Sequence, residues 1–308
     1  MSRTATSTVL IVCTLAAVLN ARLGDAQSIA PATYTTASQS VTFSRRAPEI
    51  GDQLEQNLSV SLKLDTMVRQ NEQVMEKSQT SLRRHQRRTV TTTHVVDGRT
   101  VAVMVRYGEA AKEIATGPAD GPLGKAKNVA QPVAGKVYRV RRDGETLLIN
   151  DEQGAIPPLD EYEIVALNME ALGRPNPLAD FLAGKSLAVG ERIALPNEVA
   201  EKLMGLGDDL GKVTRFELKL EKIVAIRGQQ CAMFQSSIEA ESIDSSQMRL
   251  AVDGPLVIEV DTCRAVEANF AGPIGMSETR GSLSATYQMT GTGKMNVAIA
   301  SNYSDVQR

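Results

Sequence analysis

Alternation of apolar and polar residues with a period of two runs through most of this chain and favours β-sheet. From Gln53 to Arg69, most apolar residues keep one parity and polar residues the other. Successive side chains of a strand point to opposite faces, so this pattern predicts a half-buried strand. The pattern returns from Thr214 to Ile226. The first strand would extend over roughly 50 Å, so we expect it to bend or carry a bulge.

Short turn signals divide the alternating segments into antiparallel hairpins. Asp97-Gly98, Asp143-Gly144 and Asp253-Gly254 each lie between apolar runs, which predicts tight hairpin turns. The order strand, Asp-Gly turn, strand, turn and Gly/Pro close is shared by residues 136–158 and 248–273. This order predicts a duplicated antiparallel meander that forms a curved sheet or half-barrel.

Helical signals are confined to the middle of the chain, so we predict a mainly β fold (β-rich α+β) with a few helices. Asp160 and Glu163 resemble a capping box, Asn176-Pro177 starts a second helix, and residues 197–204 favour a third. Residues 108–135 lack periodicity and predict a flexible loop. The predicted divisions are a signal peptide at 1–26, a disordered segment at 27–44, a first β meander at 45–158, a helical connection at 159–206, a second β meander at 207–302 and a tail at 303–308.

The first 26 residues have the pattern of a cleavable secretory signal peptide. Arg3 supplies a positive start, the apolar stretch VLIVCTLAAVL follows, and Gly24 and Ala26 place small residues before a cut. The apolar stretch is shorter than the about 20 residues that a membrane-spanning helix needs, and no later segment approaches this length. We therefore expect an exported protein, periplasmic or secreted, that begins near Gln27 and has no transmembrane segment.

Loss of the leader would leave two cysteines, Cys231 and Cys263. It would remove Arg3, Arg22 and Asp25, and so change the formal net charge from −2 to −3. Such a near balance gives no bulk electrostatic reason to bind nucleic acid. An even number of cysteines in an oxidising compartment favours a disulfide between them, with two separate buried thiols as the alternative.

The sequence contains no catalytic, cofactor or metal motif that meets the requirements of its chemistry. His85 and His94 fall on opposite strand parities and have no Cys or carboxylate at ligand spacing. A Gly-x-Ser-x-Gly nucleophile elbow is absent, and ADFLAGKS at 179–186 lacks the first glycine of a phosphate loop. We therefore expect a non-catalytic protein with no cofactor and no metal; an enzyme without a recognisable motif is the third alternative.

An arginine-rich segment is the strongest candidate for contact with an anion. Arg83, Arg84, Arg87 and Arg88 fall within six positions. Because alternate residues of a strand face opposite sides, Arg83 and Arg87 share one face, and Arg84 and Arg88 share the other. The segment predicts contact with anionic lipid headgroups or an acidic partner. A charged edge strand that resists pairing is the alternative.

Two resemblances add to these inferences. Gly51-Asp52 before a long alternating strand, and Val189-Gly190-Glu191 in mid-chain, resemble motifs of a family of uncharacterised exported bacterial proteins, over most of residues 45–302. The strand pattern is also similar to the curved half-barrels of periplasmic lipoprotein carriers, in which an incomplete barrel wraps a helix and holds an acyl chain. The second resemblance implies a lipid partner.

Two hypotheses for function follow. In the first, an exported envelope protein binds an apolar ligand or an envelope protein on its curved sheet. This hypothesis predicts an apolar pocket lined by the inward-facing Leu58, Leu62, Phe216 and Leu220. In the second, a structural or interaction protein has its sheet face covered by the helices, and no cavity remains. The presence or absence of a cavity distinguishes the two.

Overall fold

The computed structural model describes residues 40–71, 73–204, 211–242, 246–282 and 285–305. The signal peptide predicted at 1–26 lies outside these residues. The strands are β1 (Ser40–Thr42), β2 (Gln53–Gln70), β3 (Gln73–Val96), β4 (Arg99–Pro118), β5 (Lys127–Ala130), β6 (Val137–Asp143), β7 (Thr146–Asp151), β8 (Ser186–Ala188), β9 (Arg192–Ala194), β10 (Lys212–Ile226), β11 (Gln229–Glu241), β12 (Ser246–Glu259), β13 (Ala265–Ser282) and β14 (Ala285–Ser304). The helices are α1 (Leu159–Asn168), α2 (Pro177–Leu182) and α3 (Asn197–Met204).

Twelve of the strands in the described part of the chain form one antiparallel sheet that is not closed into a barrel. Its order is β7-β6-β4-β3-β2-β14-β13-β12-β11-β10-β9, with β5 paired to β4. The strands that precede the helices in the chain and those that follow them join into one sheet, because β14 pairs with β2 along the whole length of β2. β1 and β8 form a separate pair. The prediction of a mainly β fold with antiparallel meanders and a few helices is confirmed.

One predicted turn is wrong. Asp97 and Gly98 form the expected hairpin turn, with φ of 49° and 69°. At Asp253-Gly254, however, β12 continues straight through and pairs with β11. Gly254 is required there because the backbone oxygen of Asn269 lies only 1.8 Å from where a Cβ would stand. The correspondence between residues 136–158 and 248–273 therefore does not extend to this turn.

β-bulges decide which side chains face the core. Between the pairs Gln86–Ala110 and Arg88–Tyr107, β4 carries one residue more than β3. Tyr107 and Ala110 are consequently both buried, although strict alternation would place them on opposite faces. On β10, a register shift after Leu220 likewise reverses which side chains of the following residues face the core.

Two segments predicted to be irregular contain strands. β4 continues through Pro118 and pairs with β5, so the loop predicted at 108–135 is wrong for these residues. In the segment predicted to be disordered at 27–44, residues 40–42 form β1, and Phe43 stacks on Phe234 with ring centroids 6.0 Å apart. Residues 27–39 lie outside the described part of the chain. The second half of β4 consists largely of small residues, so its alternation of apolar and polar side chains is weak in the sequence.

Apolar side chains on one face of the sheet form two buried clusters beneath the helices. The larger cluster joins β2 and β10–β14 to α2 and α3, and the smaller joins β4, β6 and β7 to α1. The strand parity places a third, small cluster on the opposite face. Within the described residues, no helix is both long and apolar enough to cross a membrane.

The helix starts follow different chemistry at α1 and α2. The capping box predicted at Asp160 does not form, because the N-cap is Pro158, two residues earlier, and α1 begins at Leu159. Asp160 Oδ1 instead accepts a hydrogen bond from the backbone N–H of Glu161 at 3.0 Å. At α2 the predicted cap is present, since Asn176 Oδ1 accepts from the N–H of Ala179 at 3.2 Å.

Glu161 joins α1 to the sheet through two hydrogen bonds. Its carboxylate accepts hydrogen bonds from Lys136 Nζ and from the Tyr138 hydroxyl, each at 2.6 Å. Burial raises the pKa of Glu161, but these hydrogen bonds and the charge of Lys136 outweigh burial, so its pKa lies below the usual value. Burial, followed by the hydrogen bond to Glu161, raises the pKa of Tyr138 above its usual range.

Glu161→Gln is expected to lower the free energy of unfolding at neutral pH by about 1–3 kcal/mol and to flatten its loss in acid. The folded-state pKa of Glu161 is lowered, so its contribution is present above the unfolded-state pKa of about 4.3 and is lost as pH falls through the folded-state pKa. Urea unfolding across this acid range measures the slope. The exposed Glu163→Gln is the control. An acid profile in Glu161→Gln equal to that of wild type would contradict the prediction.

Candidate functional site

A strip of buried polar side chains lies between the two apolar clusters on the inner face of the sheet. It is drawn from β2, from alternate positions of β3, from the residue after β5 and from the end of α1. Its members are Gln56, Arg84, Gln86, Arg88, Gln131 and Asn168. Buried polar groups must satisfy one another by hydrogen bonds, so such a strip favours one arrangement of sheet and helix.

Arg88 lies at the centre of this strip. Its Nε donates to Gln56 Oε1 at 2.6 Å, and its Nη1 donates to the backbone oxygen of Asn168 at 3.4 Å. Asn168 Nδ2 in turn donates to Gln86 Oε1 and to the Tyr107 hydroxyl, each at 3.0 Å. Burial lowers the pKa of Arg88, which reflects the cost of holding a guanidinium away from water.

A cavity of about 940 Å³ lies between this part of the sheet and the helical connection. β2, β3 and β4 form its floor, the chain from 168 to 178 with α2 and α3 forms its roof, and residues near the β12–β13 turn and the end of β14 form its end wall. The floor includes Leu54, Arg88, Val90, Thr92 and Val103; the roof Asn168, Met169, Leu172, Leu178, Phe181, Val199, Lys202 and Leu203; the end wall Arg46, Asp52, Cys263, Arg264 and Tyr303.

Hydrogen bonds from the sheet hold the roof in place. Arg142 on β6 donates from Nε to the backbone oxygen of Leu172 at 2.8 Å, and from Nη2 to that of Glu170. The N–H of Gly173 donates to the backbone oxygen of Thr100 at 2.9 Å. Gly173 has φ of 75°, and a Cβ there would lie 2.9 Å from Arg142 Cγ, so this position requires glycine.

The end wall is built around the buried guanidinium of Arg264. Its Nη2 lies 3.1 Å from Asp52 Oδ2, its Nη1 lies 2.6 Å from Asp305 Oδ1, and its Cζ is 4.9 Å from the ring centroid of Tyr303. Burial alone would lower the pKa of Arg264, but the hydrogen bond to Asp305 and the neighbouring charges outweigh it, so the pKa is raised. The cluster joins the start of β2 to the β12–β13 turn and the end of β14.

Charge in the cavity lining is predominantly positive, with seven cationic and four acidic side chains. Each of the acidic side chains forms an ion pair with a lining arginine. These pairs are Asp52–Arg264, Asp180–Arg45, Glu145–Arg174 and Glu170–Arg174. Arg99 and Lys202 have no ion-pair partner within the described ranges of the chain. A positive lining with apolar walls suits a ligand that has an apolar part and an anionic part.

The structure brings together the four residues proposed as an apolar face, but as packed core. Leu58, Leu62, Phe216 and Leu220 all belong to the larger cluster, and none is more than 3% exposed. The cavity is lined by other residues, so the predicted pocket lining is corrected. The alternation of the sequence identifies which side chains face the core. It does not show whether a helix packs against them or leaves a cavity, because that depends on the tertiary structure.

The arginine-rich segment divides between the two faces of β3. Arg83 and Arg87 are exposed, and Arg83 Nη1 lies 3.9 Å from Glu113 Oε2. Arg84 and Arg88 are buried in the polar strip, at 8% and 2% exposure. The two faces of β3 therefore separate the four arginines, and the alternative of a charged edge strand is wrong, because β3 is a central strand paired with β2 and β4.

Cys231 and Cys263 are both free, so the predicted disulfide is not formed. Cys231 belongs to the small cluster on the outer face of the sheet, and Cys263 to the larger cluster on the inner face. Their thiols donate to the backbone oxygens of Gln229 and Ser44, at 3.7 and 3.0 Å. Burial raises the pKa of Cys231 to about 12 and that of Cys263 to about 11.

Native protein is expected to resist alkylation at both cysteines near pH 8, because each thiol is buried and protonated. Iodoacetamide labelling followed by peptide mass spectrometry measures each site separately. Both peptides should be labelled within minutes after unfolding in urea, with or without reductant. Recovery of a Cys231–Cys263 disulfide peptide from unreduced protein would contradict the prediction.

The most informative residues of the cavity were not recognised from sequence. Gln56 could have been identified, since it is a polar residue at an inward-facing position between Leu54 and Leu58. Asn168 and Arg264 could not have been identified from the sequence, because the residues that contact them lie far away in the chain. Among the described residues, no three His, Cys, Asp or Glu side chains come together to hold a metal ion.

Comparison with known proteins finds no matching family model and no matching curated protein. A solved structure of lipovitellin, described for its lipid–protein interactions, is similar at 8% identity with a TM-score of 0.37. The match covers 84% of this chain and 26% of the lipovitellin chain, so this chain spans about a quarter of that protein.

Proposed function

We propose that this protein is an exported, non-catalytic envelope protein that binds an amphipathic small molecule in the cavity between its sheet and helices. The observation that carries the proposal is the 940 Å³ cavity, with apolar side chains on floor and roof and an excess of cationic side chains. Ligand pockets in proteins typically measure about 300–1,000 Å³ and combine apolar walls with a few placed polar groups.

The alternative, a structural or interaction protein, predicts that the helices cover the sheet and leave no space. The larger apolar cluster fits that description, since α2 and α3 pack directly on it. The polar strip is different, because Arg88 and Asn168 line open volume. The cavity therefore favours a binding protein over a purely structural one.

Support for export comes from the leader at residues 1–26. Its positive start, short apolar stretch and small residues before Gln27 match the requirements of signal peptidase. The intact mass of protein recovered from its own cell envelope tests this part. A mature chain that begins near Gln27 supports export, and a chain that retains its leader in the cytoplasm contradicts it.

Ligand binding is tested by native mass spectrometry and titration of the purified protein with two amphiphiles of equal chain length, dodecanoate and dodecanol. We expect at least one of them to bind in a one-to-one complex. Val90→Trp, which fills the floor of the cavity, is expected to weaken binding about tenfold or more through steric exclusion. Val96→Trp is the matched control, because Val96 lies on the same strand at an exposed position outside the cavity.

Thermal unfolding of both tryptophan variants shows whether they are folded. Binding of neither amphiphile to folded wild-type protein would overturn the proposal. Equal binding by Val90→Trp and Val96→Trp would place the ligand elsewhere on the protein and would overturn it as well.

A further inference from the structure

We propose that the outer face of the central strands contacts a membrane surface that contains anionic lipids. The contact surface, the outer block, consists of the outward-facing side chains at residues 57–63 of β2, 81–87 of β3 and 294–300 of β14. It lies on the side of the sheet opposite to the helices and the cavity. The contact is a second interaction of the protein and does not depend on a ligand in the cavity.

Charge within the outer block is of one sign. The strand register brings together four outward-facing side chains from each strand. Four of the twelve are cations, Lys63, Arg83, Arg87 and Lys294, and all four are exposed. His85 lies among them, and the other seven side chains are alanine, serine or asparagine. The long cationic side chains therefore stand above a bed of small neutral ones, and an anion can approach them from solvent.

Lys63 and Lys294 lie directly opposite each other on β2 and β14. Side chains paired in this way have Cβ atoms about 4.5–5.5 Å apart, and like charges at this spacing destabilise a sheet. Arg83 lies diagonally across from Lys63 on β3. Within the described part of the chain, neither lysine has an ion-pair partner. A repulsive pair on central strands, where neutral residues would be more stable, indicates that its charge serves binding rather than folding.

Positive charge continues on the same face beyond the outer block. Exposed cations occupy outward-facing positions at Lys77 on β3, Arg106 on β4, and Arg139 and Arg141 on β6. β14 contains no acidic residue. The one acidic residue of β3, Glu76, pairs with Val68, an inner-face position of β2. The cationic surface is therefore wide, as contact with a plane of lipid head groups requires.

Acidic residues lie around the outer block rather than within it. Glu55 and Asp65 occupy the next outward-facing positions of β2 on either side. Glu113 of β4 lies 3.9 Å from Arg83 Nη1, but the side chains of Arg83 and Glu113 are 66% and 39% exposed, so water weakens this pair. These carboxylates limit the range of the positive field, and we therefore expect binding through direct contact that salt weakens.

The chemistry of the outer block favours a lipid surface over a protein or a nucleic acid. Protein interfaces have an apolar or aromatic centre, and single-stranded nucleic acid is held by aromatic side chains on which bases stack. The block contains neither kind of anchor. An anionic membrane attracts basic residues by charge alone, and each cation near its surface strengthens binding about fivefold.

Co-sedimentation of the wild-type protein with lipid vesicles tests the inference. Vesicles of phosphatidylcholine are compared with vesicles in which about one-third of the lipid is phosphatidylglycerol. At low salt we expect about tenfold or tighter binding to the anionic vesicles. This preference should disappear at about 0.5 M salt, because the cations are exposed and screened. Equal binding to the two kinds of vesicle, or binding to neither, would overturn the inference.

A double variant, Lys63→Ser with Lys294→Ser, locates the contact. Loss of two cations is expected to weaken binding to anionic vesicles about tenfold or more. Lys125→Ser with Lys212→Ser is the matched control, because it removes two exposed lysines that lie outside the outer block. Equal losses of binding in the two double variants would show that net charge alone matters, and the assignment to the outer block would be wrong.

Stability distinguishes a binding role of the lysine pair from a structural one. Removal of like charges that face each other should leave the unfolding temperature unchanged or raise it at low salt. A lower unfolding temperature in Lys63→Ser with Lys294→Ser than in the control would contradict the binding role. Binding of the wild-type protein to soluble polyglutamate but not to anionic vesicles would indicate an acidic protein partner and would overturn the lipid contact.

Discussion

Arg264→Met is expected to lower the free energy of unfolding by about 3 kcal/mol, because it leaves the buried carboxylate of Asp52 with only the more distant and more exposed Arg46, 3.8 Å away, as a cation. The side chains of Arg264 and Asp52 are only 7% and 8% exposed, and Nη2 lies 3.1 Å from Oδ2. Methionine retains the length and apolar stem of arginine but provides no charge and no N–H donor. Urea unfolding, monitored by circular dichroism, measures the change.

An exposed ion pair provides the matched control. Arg215→Met removes a guanidinium that contacts Glu217 and Glu239, but its side chain is 42% exposed. Water and salt weaken exposed ion pairs, so the loss of stability in Arg215→Met should be several-fold smaller than in Arg264→Met. Adding Asp52→Asn to Arg264→Met should cost less than the sum of the two single changes, by about 0.5–3 kcal/mol. Strict additivity, or equal losses in Arg264→Met and Arg215→Met, would contradict the assignment of Arg264 as the centre of a buried cluster.

Gly254→Ala is expected to destabilise the protein by about 3 kcal/mol although it adds a single methyl group. The new Cβ would lie 1.8 Å from the backbone oxygen and 2.8 Å from the carbonyl carbon of Asn269. Neither atom belongs to a flexible side chain, so β12 and β13 would have to separate locally. The hydrogen bonds that join β12 to its two neighbours in the sheet would then be distorted.

Gly275→Ala tests whether this effect depends on position. Gly275 lies on β13, opposite Arg249 of β12, and a Cβ there would meet no atom within 4 Å. Alanine restricts the unfolded chain more than glycine does, so Gly275→Ala should be neutral or stabilising by about 0.5 kcal/mol. Thermal and urea unfolding of the two variants provide the comparison. Similar stabilities would show that β12 and β13 are not as close at Gly254 as the structure places them.

Much of the sheet was predictable because its pattern is local. Burial of one face requires apolar residues at alternate positions, and this requirement alone placed Leu58, Leu62, Phe216 and Leu220 on the inner face. The turn at Asp97-Gly98 was predictable for a similar reason, since two consecutive residues with positive φ restrict the choice of amino acids.

Predictions failed where a distant segment changed the meaning of a local pattern. Asp253-Gly254 has the composition of a turn, yet glycine is needed there because another strand passes close by. After the bulge that follows Leu220, Val224 lies in the outer cluster although it shares the parity of the inward residues before it. Arg84 and Arg88 have the charge of surface residues, yet both are buried on the inner face of a central strand.

By itself, the sequence determined the class of the fold, the approximate strands and helices, and several of the turns. Each of these depends on side-chain periodicity or backbone preference over a few neighbouring residues. Only the tertiary structure decided which inward face is packed and which borders a cavity. Arg88, Asn168 and Arg264 come from three distant parts of the chain, and all three are buried where those parts meet at the cavity. The environment of a buried charge depends on all the segments around it, so no local pattern contains it.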